Sequence, residues 1–326
     1  MSDFWTSQRV IVTGGTGFLG GHVCARLRQA GCEHVTALGR ADANLCRQHD
    51  VELLDARYCP TMVIHCAGLV GGIQLNQARP GDMFYQNMLM GMNVIHEAAE
   101  HGLEKLVIVG TTCSYPDQMP GNGTYGFIPK HLWRGYPEAT NAPYGVAKRA
   151  LLTMAQAYRE QYGLKTAFVT PANLYGPGDH LECDRSHVIP ALIRKCLEAR
   201  EAGDDHITAW GNGWATREFL YAGDAAEAIV LAAEKYDDPE ALNIGTGQEI
   251  HIRFLADLIV ELTEFRGVVK WDISKPEGQH SRCLNVNAVE QVLGWRAITS
   301  FRTGLQRTIE WCEDQACVSQ PSLSPS

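Results

Sequence analysis

The sequence predicts an α/β protein, with a doubly wound parallel sheet in its first half and a smaller α/β domain in its second. Three observations carry this. Short apolar runs end on or near glycines, each is followed by a stretch with helical spacing, and the two alternate from position 9 to position 170. Such alternation selects parallel strands joined by right-handed crossovers.

In order, Arg9 to Thr13 reads as a buried strand running into glycines, and Phe18 to Ala30 as a helix that Gly31 stops. Val35 to Leu38 is a second strand and Met62 to His65 a third. Met83 to Glu100 has the spacing of a long helix. Lys105 to Val109 is a strand ending at Gly110-Thr111-Thr112-Cys113, Tyr144 to Tyr162 a helix, and Thr166 to Thr170 a strand. After Pro171 glycine and proline cluster, and helices recur at Ser186 to Arg200, Gly223 to Glu234 and Ile252 to Thr263 with short strands between them. The expected organisation is therefore a dinucleotide-binding domain over 1–172 and a substrate domain over 173–315, some of whose segments return to the first. A disordered Ser/Pro-rich tail is expected over 316–326, with Cys312 and Cys317 near it.

A chain of 326 residues holds one large or two modest domains. A net charge of −9 without a basic run argues against nucleic-acid binding. The first five residues lack a signal peptide's cationic and apolar regions. The most apolar stretch, Cys59 to Leu75, is broken by His65 and by glycines, so no membrane span is expected. The 11 cysteines show no Cys-x-x-Cys spacing and the histidines no ligand spacing, so reduced thiols in the cytoplasm and no metal site are expected.

Gly14-Gly15-Thr16-Gly17-Phe18-Leu19-Gly20 follows a strand and opens a helix. That context makes it a Rossmann-like nucleotide loop. The first glycine permits the tight turn, the second lets a pyrophosphate approach the backbone, and the third packs helix on strand. The helix N-terminus then faces the phosphates with its partial positive charge. No acid caps the second strand, and Gly39-Arg40 follow it. An acid would bind a free ribose 2′-hydroxyl, whereas Arg40 suits a 2′-phosphate. NADP (as NADPH) is favoured, with NAD the alternative.

Tyr144 and Lys148 lie one helical turn apart on one face. The ammonium is expected to hold the phenol oxygen and lower its pKa for acid–base work. Thr111, at a strand end upstream, supplies a hydroxyl. Cys113 and His187 come from different elements and read as a second proton-handling pair. Arg217 and Lys195 read as pyrophosphate clamps, and Trp210 as a surface to stack on a base or sugar or, nearly as well, as a core residue.

Beyond these residues, several motifs are specific. They include Val70-Gly71-Gly72-Ile73, Thr111-Thr112-Cys113-Ser114-Tyr115-Pro116, Asn173-Leu174-Tyr175-Gly176-Pro177, Ser186-His187-Val188-Ile189-Pro190 and Arg217-Glu218-Phe219-Leu220. Through them, and over about 9–311, the chain resembles the extended short-chain dehydrogenases/reductases, in their GDP-L-fucose synthase branch. The resemblance implies an NADP-dependent enzyme that epimerises GDP-4-keto-6-deoxy-D-mannose at C3 and C5 and then reduces C4, acting as a homodimer. It implies that Thr111, Tyr144 and Lys148 are the reductase triad, with Thr111 where Ser is commoner, and that Cys113 and His187 are the epimerisation base and acid. It further implies cofactor contacts from Gly14 to Gly20, Ala67, Val109 to Thr112, Tyr144, Lys148, Pro171 to Leu174 and His187. Sugar-nucleotide contacts are implied for Cys113, Asn173, His187, Lys195, Trp210, Arg217, Glu277 and Arg282. Lys195 stands where Arg is common and Arg282 where Lys is common. The stretch 117–131 does not resemble the family. A cofactor-recycling GDP-hexose epimerase, an enzyme of another GDP-sugar such as a dideoxy sugar or heptose, and a catalytically dead nucleotide-binding regulator are the other readings.

Overall fold

The computed structural model describes residues 4–118, 125–181, 186–275 and 279–319, with side chains to 315. Its elements are β1 (Arg9–Thr13), α1 (Phe18–Gln29), β2 (His34–Leu38), α2 (Gln48–Tyr58), β3 (Met62–His65), α3 (Ile73–Ala78), α4 (Pro80–Glu100) and β4 (Lys105–Val109). These are followed by α5 (Ala142–Tyr162), β5 (Thr166–Pro171), β6 (Asn173–Tyr175), α6 (Val188–Ala202), β7 (His206–Trp210), β8 (Thr216–Arg217) and β9 (Phe219–Tyr221). The chain continues through α7 (Ala222–Lys235), β10 (Ala241–Ile244), β11 (Ile250–His251), α8 (Ile252–Leu262), β12 (Val268–Asp272), α9 (Asn287–Leu293) and α10 (Phe301–Ser319).

The central sheet has six strands in the order β10-β5-β4-β3-β1-β2, and every pairing is parallel. Helices cover both faces, so its inner strands are largely apolar: Val10, Ile11 and Val12 of β1, and Leu106 to Val109 of β4, are buried. From β1 the chain winds one way to β2 and then back through β3, β4 and β5. The switch lies between β1 and β3, and ligands of such sheets bind beyond the carboxyl ends of the strands at that point. Thr13, His65, Val109 and Pro171 end those strands.

A second core joins α6, α8 and α10 through Ile193, Cys196, Leu255, Ile259, Leu305 and Ile309. Three two-stranded sheets accompany it: β12 with β7, β11 with β8 and β6 with β9. The strand β10 returns from this half of the chain to the edge of the central sheet, beside β5. Among the described residues no helix is long and apolar enough to cross a membrane.

Three expectations need correction. The tail does not begin at 316, because the backbone of α10 runs on to Ser319, with neither glycine nor proline between Gly304 and Pro321 to stop it. Cys312 is not at a frayed end; it is 3% exposed in the second core. The helix α2 has no counterpart in the sequence reading, because it buries only Val51 and Leu54 and so carries little apolar periodicity.

Asp179, after the Gly176-Pro177-Gly178 turn, is 4% exposed. One carboxyl oxygen accepts from the His180 amide at 2.8 Å, and the other is buried without a hydrogen-bond partner. Burial pushes this carboxyl up to about 7. A carboxyl raised in the folded state contributes stability that is full below its unfolded value near 3.8 and is lost as pH rises through about 7. Asp179→Asn should therefore gain on the parent by about 1.4 kcal/mol per pH unit at most across that window. Thermal melts of both proteins from pH 4.5 to 8 check this. The Tm difference should open steadily up to about pH 7 and then level off, and parallel curves would refute the assignment.

Candidate active site

The nucleotide loop is held by contacts that only glycine allows. Gly14 has φ +69°, and a Cβ on Gly20 would lie 2.1 Å from the Gly14 carbonyl oxygen, so α1 is seated directly on the turn. The amide of Gly15 donates to the carbonyls of Val12 at 3.1 Å and Leu38 at 2.9 Å, which locks the turn between β1 and β2. Gly17 is the N-cap of α1, with Phe18 and Leu19 in its first turn. This is a backbone cradle at a helix N-terminus, suited to a pyrophosphate. The end of the 173–178 segment lies against α1, where His22 bonds the Pro177 carbonyl at 2.9 Å, while Asn173 at its start donates its Nδ2 to the Glu218 carbonyl at 2.8 Å. Arg40, past β2, is exposed, and the carboxylate of Asp42 accepts the Gly39 amide at 2.7 Å. An acid thus folds back on this strand end after all, with one oxygen already engaged.

Beyond β4, the segment from Thr111 to Tyr115 is pressed onto the first turn of α5. A Cβ on Gly145 would sit 2.2 Å from the Cys113 carbonyl oxygen, and Ser114 Oγ donates to the Gly145 carbonyl at 2.9 Å. Two backbones in such contact bring Thr111, Cys113 and Tyr144 together. Thr111 Oγ1 accepts from the Cys113 amide at 3.1 Å, and the Thr111 hydroxyl is close enough to the phenol of Tyr144 to favour its ionised form. Tyr144 and Cys113 share a small apolar cluster with Leu69, Leu75 and Met83. Met83, which reads from sequence as helix packing, is thus also the floor beneath the phenol.

One expectation about this pair is overturned. Lys148 does not hold the phenol; its Nζ donates to the Val109 carbonyl at 2.9 Å. The Tyr144 hydroxyl is pushed up, by burial first and by Cys113 second, with Thr111 opposing. Helical spacing placed the two side chains on one face, but β4 ends beside Lys148 and offers a better acceptor. Lys148 itself is 3% exposed, and burial brings its ammonium down to about 8. Tyr144 is consequently a phenol held in its protonated, proton-donating form.

Two arginines face Cys113. Arg282, 5% exposed, donates Nη1 to its sulfur at 3.3 Å. Arg217, at the end of β8, is brought down to about 10 by burial and then by the neighbouring Arg282, with Cys113, Glu138 and Glu249 opposing. Both are located by Glu218, which adjoins Arg217 and is 1% exposed. Its carboxylate accepts the amides of Thr246 at 2.6 Å, Gly247 at 2.8 Å and, two residues beyond Arg282, Leu284 at 2.6 Å. Two crowded, desolvated guanidinium groups make a site complementary to an anion.

His187 is the N-cap residue of α6. Solvent reaches it, yet protein crowds it enough that desolvation, with His180 nearby, moves its imidazole down. The preceding carbonyl, of Ser186, lies 2.8 Å from where a Gly72 Cβ would stand, and the 71–72 loop leads into Leu75 beneath Tyr144. Lys195 donates to the Thr208 carbonyl at 2.7 Å. Trp210 is 36% exposed rather than core, with the Lys275 ammonium 5.7 Å from its ring centroid. Glu277 lies outside the described residues. Among the described residues no group of His, Cys, Asp and Glu is arranged to hold a metal ion.

The family model described as "NAD dependent epimerase/dehydratase family" matches residues 10–245. The chain belongs to that family. Within it, a GDP-L-fucose synthase of Arabidopsis thaliana is 37% identical over 97% of this chain and 96% of its own length. One from Sinorhizobium fredii is 38% identical over 93% and 95%. Among solved structures, a GDP-L-fucose synthetase from Naegleria fowleri bound to NADP superposes with TM-score 0.87 at 25% identity, covering 97% of both chains.

Sequence reasoning missed Glu218 as the anchor of both arginines, although it lies inside the quoted Arg217-Glu218-Phe219-Leu220 motif. It also missed Gln279, whose side chain receives Arg282 Nε at 2.5 Å. No local pattern marks that residue.

Proposed function

We propose that this family member is an NADP-dependent epimerase–reductase that converts GDP-4-keto-6-deoxy-D-mannose to GDP-L-fucose. The observation that carries the reading is the meeting of a protonated phenol and a thiol faced by guanidinium at one loop. The curated relatives named GDP-L-fucose synthase, matched over nearly their whole length, support the substrate.

A C4 carbonyl acidifies the hydrogens on C3 and C5, so epimerisation needs a base and an acid from different elements. Cys113, beyond β4, takes the proton as base. His187, at the start of α6, returns one as acid to the opposite face. The 14–20 cradle, with Arg40, Ala67, Val109, Lys148, Pro171, Asn173 and Leu174, would hold NADPH, which when bound would supply the hydride for C4. Tyr144 donates its proton to the oxygen developing charge there, and Thr111 hydrogen-bonds the same oxygen. Lys148 keeps a cation beside this site and would meet the cofactor ribose. Arg217, Arg282 and Lys195 hold the diphosphate, with Trp210 as a stacking surface.

The domain over 1–172 holds the cofactor and 173–315 mainly the sugar nucleotide. Phe84, Tyr85 and Met92 of α4 and Tyr162 of α5 are exposed apolar side chains on neighbouring helices and support a homodimer through that face. The nine cysteines among the described residues are all free, which fits a cytoplasmic enzyme.

Incubation of the folded protein with GDP-4-keto-6-deoxy-D-mannose should consume NADPH absorbance and yield a GDP-6-deoxyhexose inverted at C3 and C5. Folded protein that binds NADPH but consumes none with this sugar would reject the reading.

A further inference from the structure

Arg282 reaches Cys113 from 169 residues away, and it does not do so alone. Its Nη1 donates to the sulfur at 3.3 Å while its Nε donates to Gln279 Oε1 at 2.5 Å. Gln279 in turn donates Nε2 to the carbonyls of Pro116, at 3.4 Å, and Asp117. Those carbonyls belong to the loop that carries Cys113. The result is a closed brace: thiol, guanidinium, carboxamide and the thiol's own loop. All of its side chains are largely buried except the sulfur, which remains partly open.

We propose that Arg282, aimed by Gln279, is the positioning residue that holds Cys113 as a thiolate directed into the site. This rests on the reading of Cys113 as the epimerisation base. A thiol is a poor base and a thiolate a competent one, and a guanidinium N–H directed at sulfur is complementary to the anion. The other ionisable or charged neighbours at the sulfur are Arg217 from β8, which reinforces the effect, and Tyr144 from α5, which is neutral near pH 7. The choice of Arg rather than Lys has a geometric reason. One planar head serves sulfur and carboxamide at once, through separate N–H groups, which a single ammonium donor point does less well.

The test is the pH profile of Cys113 alkylation by iodoacetamide, read by mass spectrometry on the purified full chain, with exposed Cys59 as the internal reference. Only the thiolate alkylates at an appreciable rate. Arg282→Gln should raise the pH of half-maximal Cys113 alkylation by about one unit, slowing it roughly tenfold at neutral pH, and leave Cys59 unchanged. Arg282→Lys should recover part of the shift. Gln279→Met, which keeps the arginine and removes its aim, should give a smaller shift of the same sign and serves if Arg282→Gln does not fold. A folded variant whose Cys113 profile keeps the parent midpoint, with only the plateau rate altered, would overturn the proposal, since a merely steric contact changes access and not the midpoint. No sugar is involved, so this outcome is separate from a failure of the turnover assay.

Discussion

Tyr144→Phe is expected to reduce NADPH-dependent turnover by about 10²–10⁴-fold while NADPH still binds. The phenyl ring keeps its place in the cluster with Leu69, Leu75, Met83 and Cys113, so the fold should be undisturbed. What goes is the one buried hydroxyl that burial keeps protonated beside Thr111. Lys148 cannot replace it, because its Nζ is committed to the Val109 carbonyl. Nor can Thr111, whose aliphatic hydroxyl is a weaker acid than a phenol. Steady-state kcat and a fluorescence titration with NADPH separate the two effects. A kcat within threefold or so of the parent, at unchanged NADPH affinity, would move the proton donor elsewhere. Proton–deuterium exchange at C3 and C5 of the sugar should persist in this variant, since the hydroxyl acts at C4.

How much of this was legible beforehand depends on the range of the interaction. β1, β3 and β4 start and end where their apolar runs meet polar residues or glycine, because a strand buried on both faces must be apolar along its length. The nucleotide loop was legible for a similar reason: its tightest contact, between Gly14 and Gly20, lies within seven residues. Tyr144 and Lys148 were legible as neighbours and wrongly read as partners. Spacing fixes the face of a helix but not what lies opposite, and here β4 presents a free carbonyl. The brace on Cys113 could not be read at all, since its members stand at 113, 116–117, 279 and 282 and only the tertiary fold joins them. Cys312 shows the opposite failure. A polar, Ser/Pro-rich stretch follows it, and composition in that window hid the second core that its sulfur enters.

Cys113→Ala separates the two halves of the proposed chemistry. If Cys113 removes the C3 and C5 protons, deuterium from D2O should enter the sugar about 10²–10⁴ times more slowly in this variant. The loss should exceed that in Arg282→Gln, because Arg282 acts only through the sulfur and the substrate whereas Cys113 forms the bond to the proton. Alanine leaves the backbone that seats on Gly145 untouched, so Thr111 and Tyr144 should stay in register, with the Cys113 amide still donating to Thr111 Oγ1. Removing the thiol also removes a neighbour that holds the Tyr144 phenol up, so that hydroxyl should become somewhat easier to ionise. Exchange followed by NMR on the folded variant, with NADPH binding as the control, checks this. Parent-like exchange would take the base away from Cys113, leaving the two arginines as anion clamps beside a sulfur with no part in proton transfer.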